Sequence, residues 1–190
     1  MSDAQQGINW QKIAKRVRVP LGFAFAAFYI FFAHPTGTSL IAGGSVALLG
    51  VWIRAYASGY VNKNESLACT GPYAYTRNPL YLGSVVIGVG FAIAAMNLYI
   101  AVAMVVMYIA IYVPVISGEE AFLTSRFPEF QNYMANVPRL LPRLTPARLG
   151  SGGSGSFSRE LYLKHREYNA LIGTAAMLCV LAVKFIRYSR

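Results

Sequence analysis

Five apolar runs alternate with shorter polar segments along the chain. Four of them lie near 19–33, 40–60, 79–96 and 98–116, and the last covers 169–187. A helix needs about 20 apolar residues to cross a bilayer, and lipid favours helices because they satisfy their own backbone hydrogen bonds. The pattern therefore predicts an all-α polytopic membrane bundle of about five transmembrane helices, of which the first, closed by His34-Pro35, is short.

The third and fourth runs are separated only by Asn97. So short a connection predicts an antiparallel helical hairpin, whose two outer ends emerge on the same side of the membrane. Asn78 precedes this hairpin and Glu119 follows it. We therefore expect both side chains to line one cavity at the membrane surface.

The composition supports a membrane protein. Of 190 residues, 56% are hydrophobic and only 13% are charged, whereas soluble domains carry about 25% charged residues. Lys and Arg number 17 against 7 Asp and Glu, and this excess lies mostly outside the apolar runs, where it meets membrane lipid headgroups. We expect no nucleic-acid partner. Cys69 and Cys179 match no metal-ligand spacing, so no metal is expected either.

The basic residues predict the orientation. Four of them, Lys12, Lys15, Arg16 and Arg18, precede the first run, and both long polar loops are basic. Positive loops stay in the cytoplasm, so we expect an inner-membrane protein whose site faces the cytoplasm. Lys184 and Arg187 at the far end of the last run contradict this rule. That run either spans the membrane or lies in the interface, and we favour a span because 170–183 is apolar on every face.

The chain is predicted to be one membrane domain, without an internal repeat. Its parts are a basic N-terminal segment at 1–18, a core at 60–142, a flexible linker "LGSGGSGS" at 149–156 and a C-terminal helix at 157–190. Residues 157–173 carry charges and aromatic rings at helical spacing, which predicts an interfacial helix that leads into the last span.

The stretch "TGPYAYTRNPLYLG" at 70–83 opens the third run. It is typical of a helix start, with Asn78 as N-cap, Pro79 in the first turn and tyrosines as interfacial anchors. Glu119-Glu120 follows the fourth run, and it is open to two interpretations. Either Ser117 caps a new helix with acids in its first turn, or the carboxylates bind a cationic ligand, which better explains why there are two.

These motifs resemble the membrane methyltransferases that include isoprenylcysteine carboxyl methyltransferase and the phospholipid methyltransferases. The resemblance rests on "ESLACTGPYAYTRNPLYLG" (65–83), the hairpin after it and "GEEAFLTSRFPEFQNYMANVPRLLP" (118–142). The family pattern is Gly-x-Tyr, Arg-(His/Asn)-Pro-x-Tyr-x-Gly, a hairpin, Glu-Glu, a Phe-rich segment and Tyr-x-x-x-Val-Pro. All of these pieces occur here in that order.

The resemblance implies S-adenosyl-L-methionine as cofactor and a lipophilic substrate that enters from the bilayer. By position, the cofactor would contact Glu65, Ser66, Leu67, Ala68, Tyr73, Arg77, Asn78, Pro79, Leu80, Tyr81, Glu119 and Glu120. Carboxylates suit its ammonium or ribose, Arg77 suits its carboxylate, and tyrosines suit its adenine and sulfonium. Arg54, Glu119 and Glu120 are the candidate catalytic residues.

The methyl acceptor stays open at this point. Carboxyl methyltransferases of the family have an arginine about one turn before the glutamate pair, where this chain has Val115-Ile116. Arg54, a charge within an apolar run, or Arg126 could replace it. Three methyl acceptors remain possible: a prenylcysteine carboxylate, a phospholipid amine and a lipid hydroxyl. Both O-methylation and N-methylation are therefore open. For the amine and the hydroxyl, Glu65, Glu119 or a tyrosine could be the base.

Two other classes of function also remain. A sterol-type membrane reductase would bind a nicotinamide cofactor, whose phosphates call for clustered Arg or Lys rather than Glu119-Glu120. A non-catalytic lipid-binding protein is the other class.

Overall fold

A computed structural model describes residues 10–61, 66–147 and 155–188, and in this part of the chain all regular structure is helical. The helices are α1 (Trp10–Phe32), α2 (Gly37–Ser58), a 3₁₀ turn (Gly71–Ala74), α3 (Pro79–Ala95), α4 (Leu98–Arg126), α5 (Phe130–Asn136), α6 (Arg159–Lys164) and α7 (Tyr168–Tyr188). The all-helical fold is therefore as predicted. Most of the predicted linker, residues 149–154, lies outside the described residues, as do 1–9 of the N-terminal segment.

Three of the described helices are long and apolar enough to cross a membrane: Gly37–Ser58, Leu98–Arg126 and Tyr168–Tyr188. Two shorter apolar helical stretches, Gly22–Phe32 and Pro79–Ala95, accompany them. The last apolar run thus forms a continuous helix of 21 residues, the length that a span requires. The predicted interfacial helix is a short one, α6, which a turn through Arg166 in the left-handed region separates from α7.

Two predicted helix boundaries are wrong. α1 begins by Trp10, so basic residues of the predicted N-terminal segment belong to the helix. α4 does not end near Ile116 but continues to Arg126, so Ser117 caps no new helix. The fall in hydropathy there marks a change of environment, and "SGEEAFLTSR" still contains several good helix formers.

The hairpin of α3 and α4 is confirmed, with Met96 and Asn97 as its connection. Met96 adopts the left-handed conformation with φ 48°. Asn97 caps α4 by accepting from the backbone N–H groups of Tyr99 and Ile100, at 2.9 and 3.4 Å. The turn brings the start of α3 and the end of α4 to the same end of the bundle.

α2 and α3 approach each other closely through small residues. A Cβ added at Gly43 would lie 2.4 Å from the carbonyl oxygen of Gly90, and one at Gly50 would lie 2.6 Å from that of Gly83. Small residues let helix backbones meet at such distances, where van der Waals contact replaces the hydrophobic effect as the attraction within lipid. This contact fixes the position of Arg54, one turn beyond Gly50, against the first turn of α3.

At the end of the bundle where α1 ends and α4 begins, hydrogen bonds to backbone carbonyls join the helices. The N–H of His34 donates to the carbonyl of Ala95 at 2.8 Å, and the Asn97 amide donates to that of Phe32 at 2.9 Å. Lys184 of α7 donates to the carbonyls of Ile30 and Phe31 at 2.7 and 2.9 Å. The bonds from Asn97 and Lys184 satisfy the last carbonyls of α1, and the bond from His34 satisfies one at the end of α3.

Candidate functional site

A proline-rich strap, residues 137–147, runs along the segment that precedes α3. Arg77 N–H donates to the carbonyl of Pro138, and Arg143 N–H to that of Tyr75, each at 2.9 Å. The buried hydroxyl of Tyr133 in α5 donates to the carbonyl of Tyr73 at 2.8 Å. The strap and α5 thus hold the sequence motif at 70–83 against the end of α4.

A cavity of about 330 Å³ lies between this motif and the end of α4. Ten of the residues predicted for the cofactor line it: Ser66, Leu67, Ala68, Tyr73, Arg77, Asn78, Leu80, Tyr81, Glu119 and Glu120. Pro79 is buried in the first turn of α3 and does not line it. Glu65 lies outside the described residues. The structure therefore brings the two halves of the motif to one cavity, which we call the motif cavity.

The two adjacent glutamates have different surroundings. Glu120 forms ion pairs with Arg77 at 3.5 Å and Arg139 at 3.1 Å. Glu119 is exposed and accepts a hydrogen bond from the Tyr81 hydroxyl at 2.8 Å, and within the described chain it forms no ion pair. Successive residues of a helix point about 100° apart, so the two carboxylates have different partners although both line the cavity.

Asn78 occupies the N-cap position of α3, but its side chain makes no capping hydrogen bond. Its amide donates instead to the carbonyl of Arg139 at 2.9 Å and to the Glu120 carboxylate at 3.4 Å. The predicted capping role of the side chain is therefore wrong. Asn78 joins the strap, α3 and α4 at one point beside the cavity.

Arg77 keeps an unused donor beside the cavity. Its guanidinium is mostly buried, and its Nε is buried without a hydrogen-bond partner among the described residues. A buried donor of this kind calls for an acceptor. Arg77 therefore lines the cavity with a guanidinium whose hydrogen bonds to the described residues are incomplete.

Tyr73 is a buried wall of the same cavity. Burial, and then the neighbouring Tyr133 and Glu119, raise the pKa of its phenol well above the ordinary value. Tyr73 therefore stays protonated throughout the physiological range. It can donate a hydrogen bond or present its ring, but it is unsuited to act as a base.

Arg54 does not line the motif cavity. Its Nε and one Nη each donate to the Glu167 carboxylate at 3.0 Å, and its other Nη donates to the carbonyl of Leu80 at 3.3 Å and to the Ser84 hydroxyl. Arg54 lines a second cavity of about 440 Å³, which we call the helix cavity. Arg126, the other arginine considered for the missing clamp, is exposed in the last turn of α4.

The helix cavity is walled by apolar side chains of α1, α3, α4 and α7, and a few polar groups join them. Its polar members are Tyr29, Arg54, Ser84, Tyr108, Tyr112, Asn169 and Thr174. The two cavities approach each other where Tyr81 of the motif cavity meets Tyr112 edge-on, with ring centroids 5.3 Å apart. The first turn of α3 forms the partition, since Leu80 faces one cavity and Ser84 the other.

Several residues of the site were missed from the sequence. Aromatic and apolar side chains of the Phe-rich segment line the motif cavity: Phe122, Leu123, Phe127, Phe130 and Tyr133. The Phe-rich part of the motif was the available signal for them. Arg139 was also missed, although it pairs with Glu120 and donates to the Ser117 hydroxyl at 2.6 Å. No spacing in the sequence signals that contact, because it depends on the path of the strap.

Comparison with known proteins adds an independent result. The chain is 35% identical over 104 residues to the cobalt-zinc-cadmium resistance protein CzcN of Cupriavidus metallidurans, which covers 54% of this chain and 47% of that protein. It is 34% identical over 123 residues to the nickel-cobalt-cadmium resistance protein NccN of Alcaligenes xylosoxydans xylosoxydans, over 63% and 57% of the two lengths. The chain thus matches about half the length of these curated relatives. No solved structure matches it significantly.

A family model matches residues 30–129, which is more than half of the chain, and it describes the phospholipid methyltransferases. The matched region contains α2, α3, α4 and the lining of the motif cavity as far as Phe127, but neither α5 nor the strap. The family predicted from the motifs is confirmed, and it points to a membrane methyltransferase. The chain belongs to the phospholipid methyltransferase family.

Proposed function

We propose that the protein is an integral membrane methyltransferase that uses S-adenosyl-L-methionine and methylates a lipophilic acceptor. The motif cavity holds the cofactor and faces the cytoplasm. The helices α1, α2, α3, α4 and α7 cross the membrane. The observation that carries this proposal is the presence, in the lining of one cavity, of an exposed carboxylate, Glu119, and of the guanidinium of Arg77.

The residues of the motif cavity fit this cofactor. Its amino acid portion carries an ammonium and a carboxylate, which match Glu119 and Arg77 respectively. Its sulfonium and adenine match the rings that line the cavity, among them Tyr73 and Phe127. A volume of about 330 Å³ lies within the range of roughly 300–1,000 Å³ that small-molecule sites occupy.

The bound cofactor would supply an electrophilic methyl group on sulfur. Glu119 and Arg77 would hold the amino acid portion of the cofactor, and the acceptor's lone pair would form the new bond to the methyl carbon as the carbon–sulfur bond broke, in line with the attack. A hydroxyl or amine acceptor would also lose one proton. Positioning is the main contribution of the chain, and it can supply about 7–11 kcal/mol of the barrier.

Two other functions have less support in the structure. A nicotinamide cofactor would bring phosphates, which call for clustered Arg or Lys, whereas the described lining of the motif cavity contains two glutamates and one arginine, Arg77. The names of the two relatives refer to metal resistance. Within the described residues, however, no group of three or more His, Cys, Asp or Glu side chains is placed to hold a metal ion. Of the three functions, methyl transfer therefore has the most support.

The direct test is calorimetric titration of the purified protein in detergent with S-adenosyl-L-methionine. We expect saturable binding that Glu119→Gln weakens by about tenfold to a hundredfold, since a hydrogen-bonded charge pair contributes roughly 1.5–3 kcal/mol. Glu160→Gln, which removes an exposed carboxylate from α6, is the matched control and should leave binding unchanged.

The absence of binding by the folded wild-type protein would refute the proposal, as would equal affinities of the parent and the Glu119→Gln variant. If binding holds, transfer of a labelled methyl group into a total lipid extract identifies the acceptor class. A soluble, polar product as the only labelled species would exclude a lipophilic acceptor.

A further inference from the structure

The helix cavity is a second cavity, of about 440 Å³, that the motif residues do not explain. It lies among four apolar helices, and apolar surface dominates its wall. We propose that it binds the methyl acceptor, and that Glu167 makes it select an acceptor with an uncharged hydroxyl or amine head over one with a carboxylate. This inference rests on the proposed function for the transfer step, but not for the binding of the acceptor.

The position of the cavity fits an acceptor site. Its volume of about 440 Å³ suits one apolar chain or ring system with a small head, within the range of roughly 300–1,000 Å³ for ligand sites. It adjoins the motif cavity at the contact of Tyr81 with Tyr112, and Tyr112 in turn stacks on Tyr108 at 4.7 Å between centroids. A head group at this contact would lie next to the wall of the cofactor cavity.

The Arg54–Glu167 pair carries the selectivity. Glu167 occupies the guanidinium with two hydrogen bonds at 3.0 Å and a closest contact of 2.8 Å. The two side chains are only 23% and 12% exposed. A substrate carboxylate could pair with this arginine only by breaking its bonds to Glu167, which would leave a mostly buried carboxylate without its partner. An uncharged head group does not have to displace Glu167. The Tyr112 hydroxyl and the Asn169 amide line the cavity, where they can form hydrogen bonds with it.

Glu167 comes from the C-terminal part of the chain, beyond the residues 30–129 that the family model matches. The α7 helix that follows it supplies one wall of the cavity through Asn169, Gly173, Thr174 and Met177. The segment that determines acceptor choice is therefore separate in sequence from the segment that forms the motif cavity. Val115-Ile116, buried in α4, offers no alternative cation for a carboxylate.

The test measures equilibrium binding of radiolabelled oleyl alcohol and of oleate to the purified protein in detergent, without the methyl donor and at a pH where the acid is ionised. We expect the wild type to bind the alcohol about tenfold or more tightly than oleate. Glu167→Gln should strengthen oleate binding and reduce that preference, because Arg54 is then no longer neutralised. Glu160→Gln is the charge-matched control and should keep the wild-type preference.

Gly173→Leu tests the location of the site. A Cβ at Gly173 meets nothing within 4 Å, so the leucine can enter the cavity without a backbone clash. It should abolish alcohol binding while calorimetric binding of S-adenosyl-L-methionine is retained. If Glu167→Gln fails to fold, the double variant Arg54→Gln/Glu167→Gln removes both charges, and it should likewise lose discrimination between the two probes.

Three results would overturn the inference: no binding of the alcohol, equal wild-type affinities for alcohol and oleate, or unchanged alcohol binding in Gly173→Leu. Failure of the proposed function gives a different pattern. In that case the methyl donor does not bind, while the alcohol still binds with the preference that Glu167 sets.

Discussion

At the scale of single residues, the glutamate pair shows how neighbours in sequence take different roles. Glu119 faces the motif cavity, and Glu120 joins Arg77 and Arg139 beneath it. The position of a helical residue on the helix surface turns by about 100° per residue. The two carboxylates therefore differ in availability: Glu120 is paired with two arginines, whereas Glu119 forms no ion pair among the described residues and is expected to bind the cofactor's ammonium.

The different roles predict different effects on stability. Glu120→Gln leaves Arg77 and Arg139 without their anionic partner, and we expect it to destabilise the folded protein by about 1–3 kcal/mol, as for loss of hydrogen bonds to charged groups. A thermal melt in detergent measures this as a fall in Tm. Glu119→Gln keeps an oxygen that can accept from the Tyr81 hydroxyl at an exposed site and should change Tm little. A larger fall for Glu119→Gln than for Glu120→Gln would contradict the assignment.

Cys69 offers a pH-dependent test of the packing beside the cavity. It is half-buried against the cluster of Phe130, Tyr133 and Val137. Burial, and secondarily the charge of Glu129, raise the pKa of its thiol from the ordinary 9.0 to about 11. Because the folded state disfavours the thiolate, the stability that the neutral thiol contributes is present below the ordinary pKa and declines as pH rises towards about 11.

The reactivity of Cys69 should follow the same shift. In a Cys179→Ser background, the rate of alkylation by iodoacetamide at pH 8 should be about 100-fold below that of the unfolded chain, as two pKa units imply. The rate should keep rising to a pH of about 11. The protein unfolded in denaturant is the control. A plateau near pH 9 in the folded protein would show that Cys69 is solvated and not packed.

At the scale of helices, the close approach of α2 and α3 positions both cavities. The contact places Arg54 against Leu80 and Ser84, on the partition between them. Gly43 and its neighbour Gly44 provide a matched pair of variants. A Cβ at Gly43 would lie 2.4 Å from a backbone oxygen, whereas one at Gly44 would meet only Leu178, at 3.7 Å.

We therefore expect Gly43→Ala to destabilise the protein by about 1–3 kcal/mol through overpacking. Gly44→Ala should be neutral or slightly stabilising, because alanine is a better helix former than glycine and the space is there. Thermal melts of the two variants in the same detergent give the comparison. Equal Tm values for both would mean that α2 and α3 are not in backbone contact at Gly43.

The helices also show what the sequence could predict. The apolar runs and the short hairpin connection at Asn97 could be predicted because a span in lipid must have a minimum length and must satisfy its own backbone hydrogen bonds. The end of α4 was misplaced because hydropathy reports the surrounding medium, whereas helix formation continues wherever propensity allows. The roles of Asn78 and Arg139 could not be predicted, since they depend on tertiary contacts with the strap.

At the scale of the whole molecule, the positions of the basic residues bear on the orientation of α7. Lys184 and Arg187 at its end contradict the rule that positive charge stays in the cytoplasm. Most described arginines and lysines lie at the site end, where α2 and α4 end and α3 and α7 begin. Lys184 lies at the other end, but its ammonium donates to two terminal carbonyls of α1. Cations stabilise helix C-termini in this way. Its charge thus has a structural partner, and a spanning α7 is compatible with a site end that faces the cytoplasm.

This orientation predicts the sidedness of chemical labelling. In a Cys69→Ser/Cys179→Ser background, one new cysteine at Glu129 marks the site end and one at Tyr99 marks the opposite end, and both parent side chains are exposed. A membrane-impermeant maleimide added to intact cells that express the protein should label Tyr99→Cys and leave Glu129→Cys unlabelled. Permeabilising the cells should make Glu129→Cys reactive, which controls for burial of that cysteine. Labelling of Glu129→Cys in intact cells, with Tyr99→Cys protected, would place the motif cavity outside the cytoplasm, away from the compartment in which S-adenosyl-L-methionine is made, and would contradict the proposed function together with the topology.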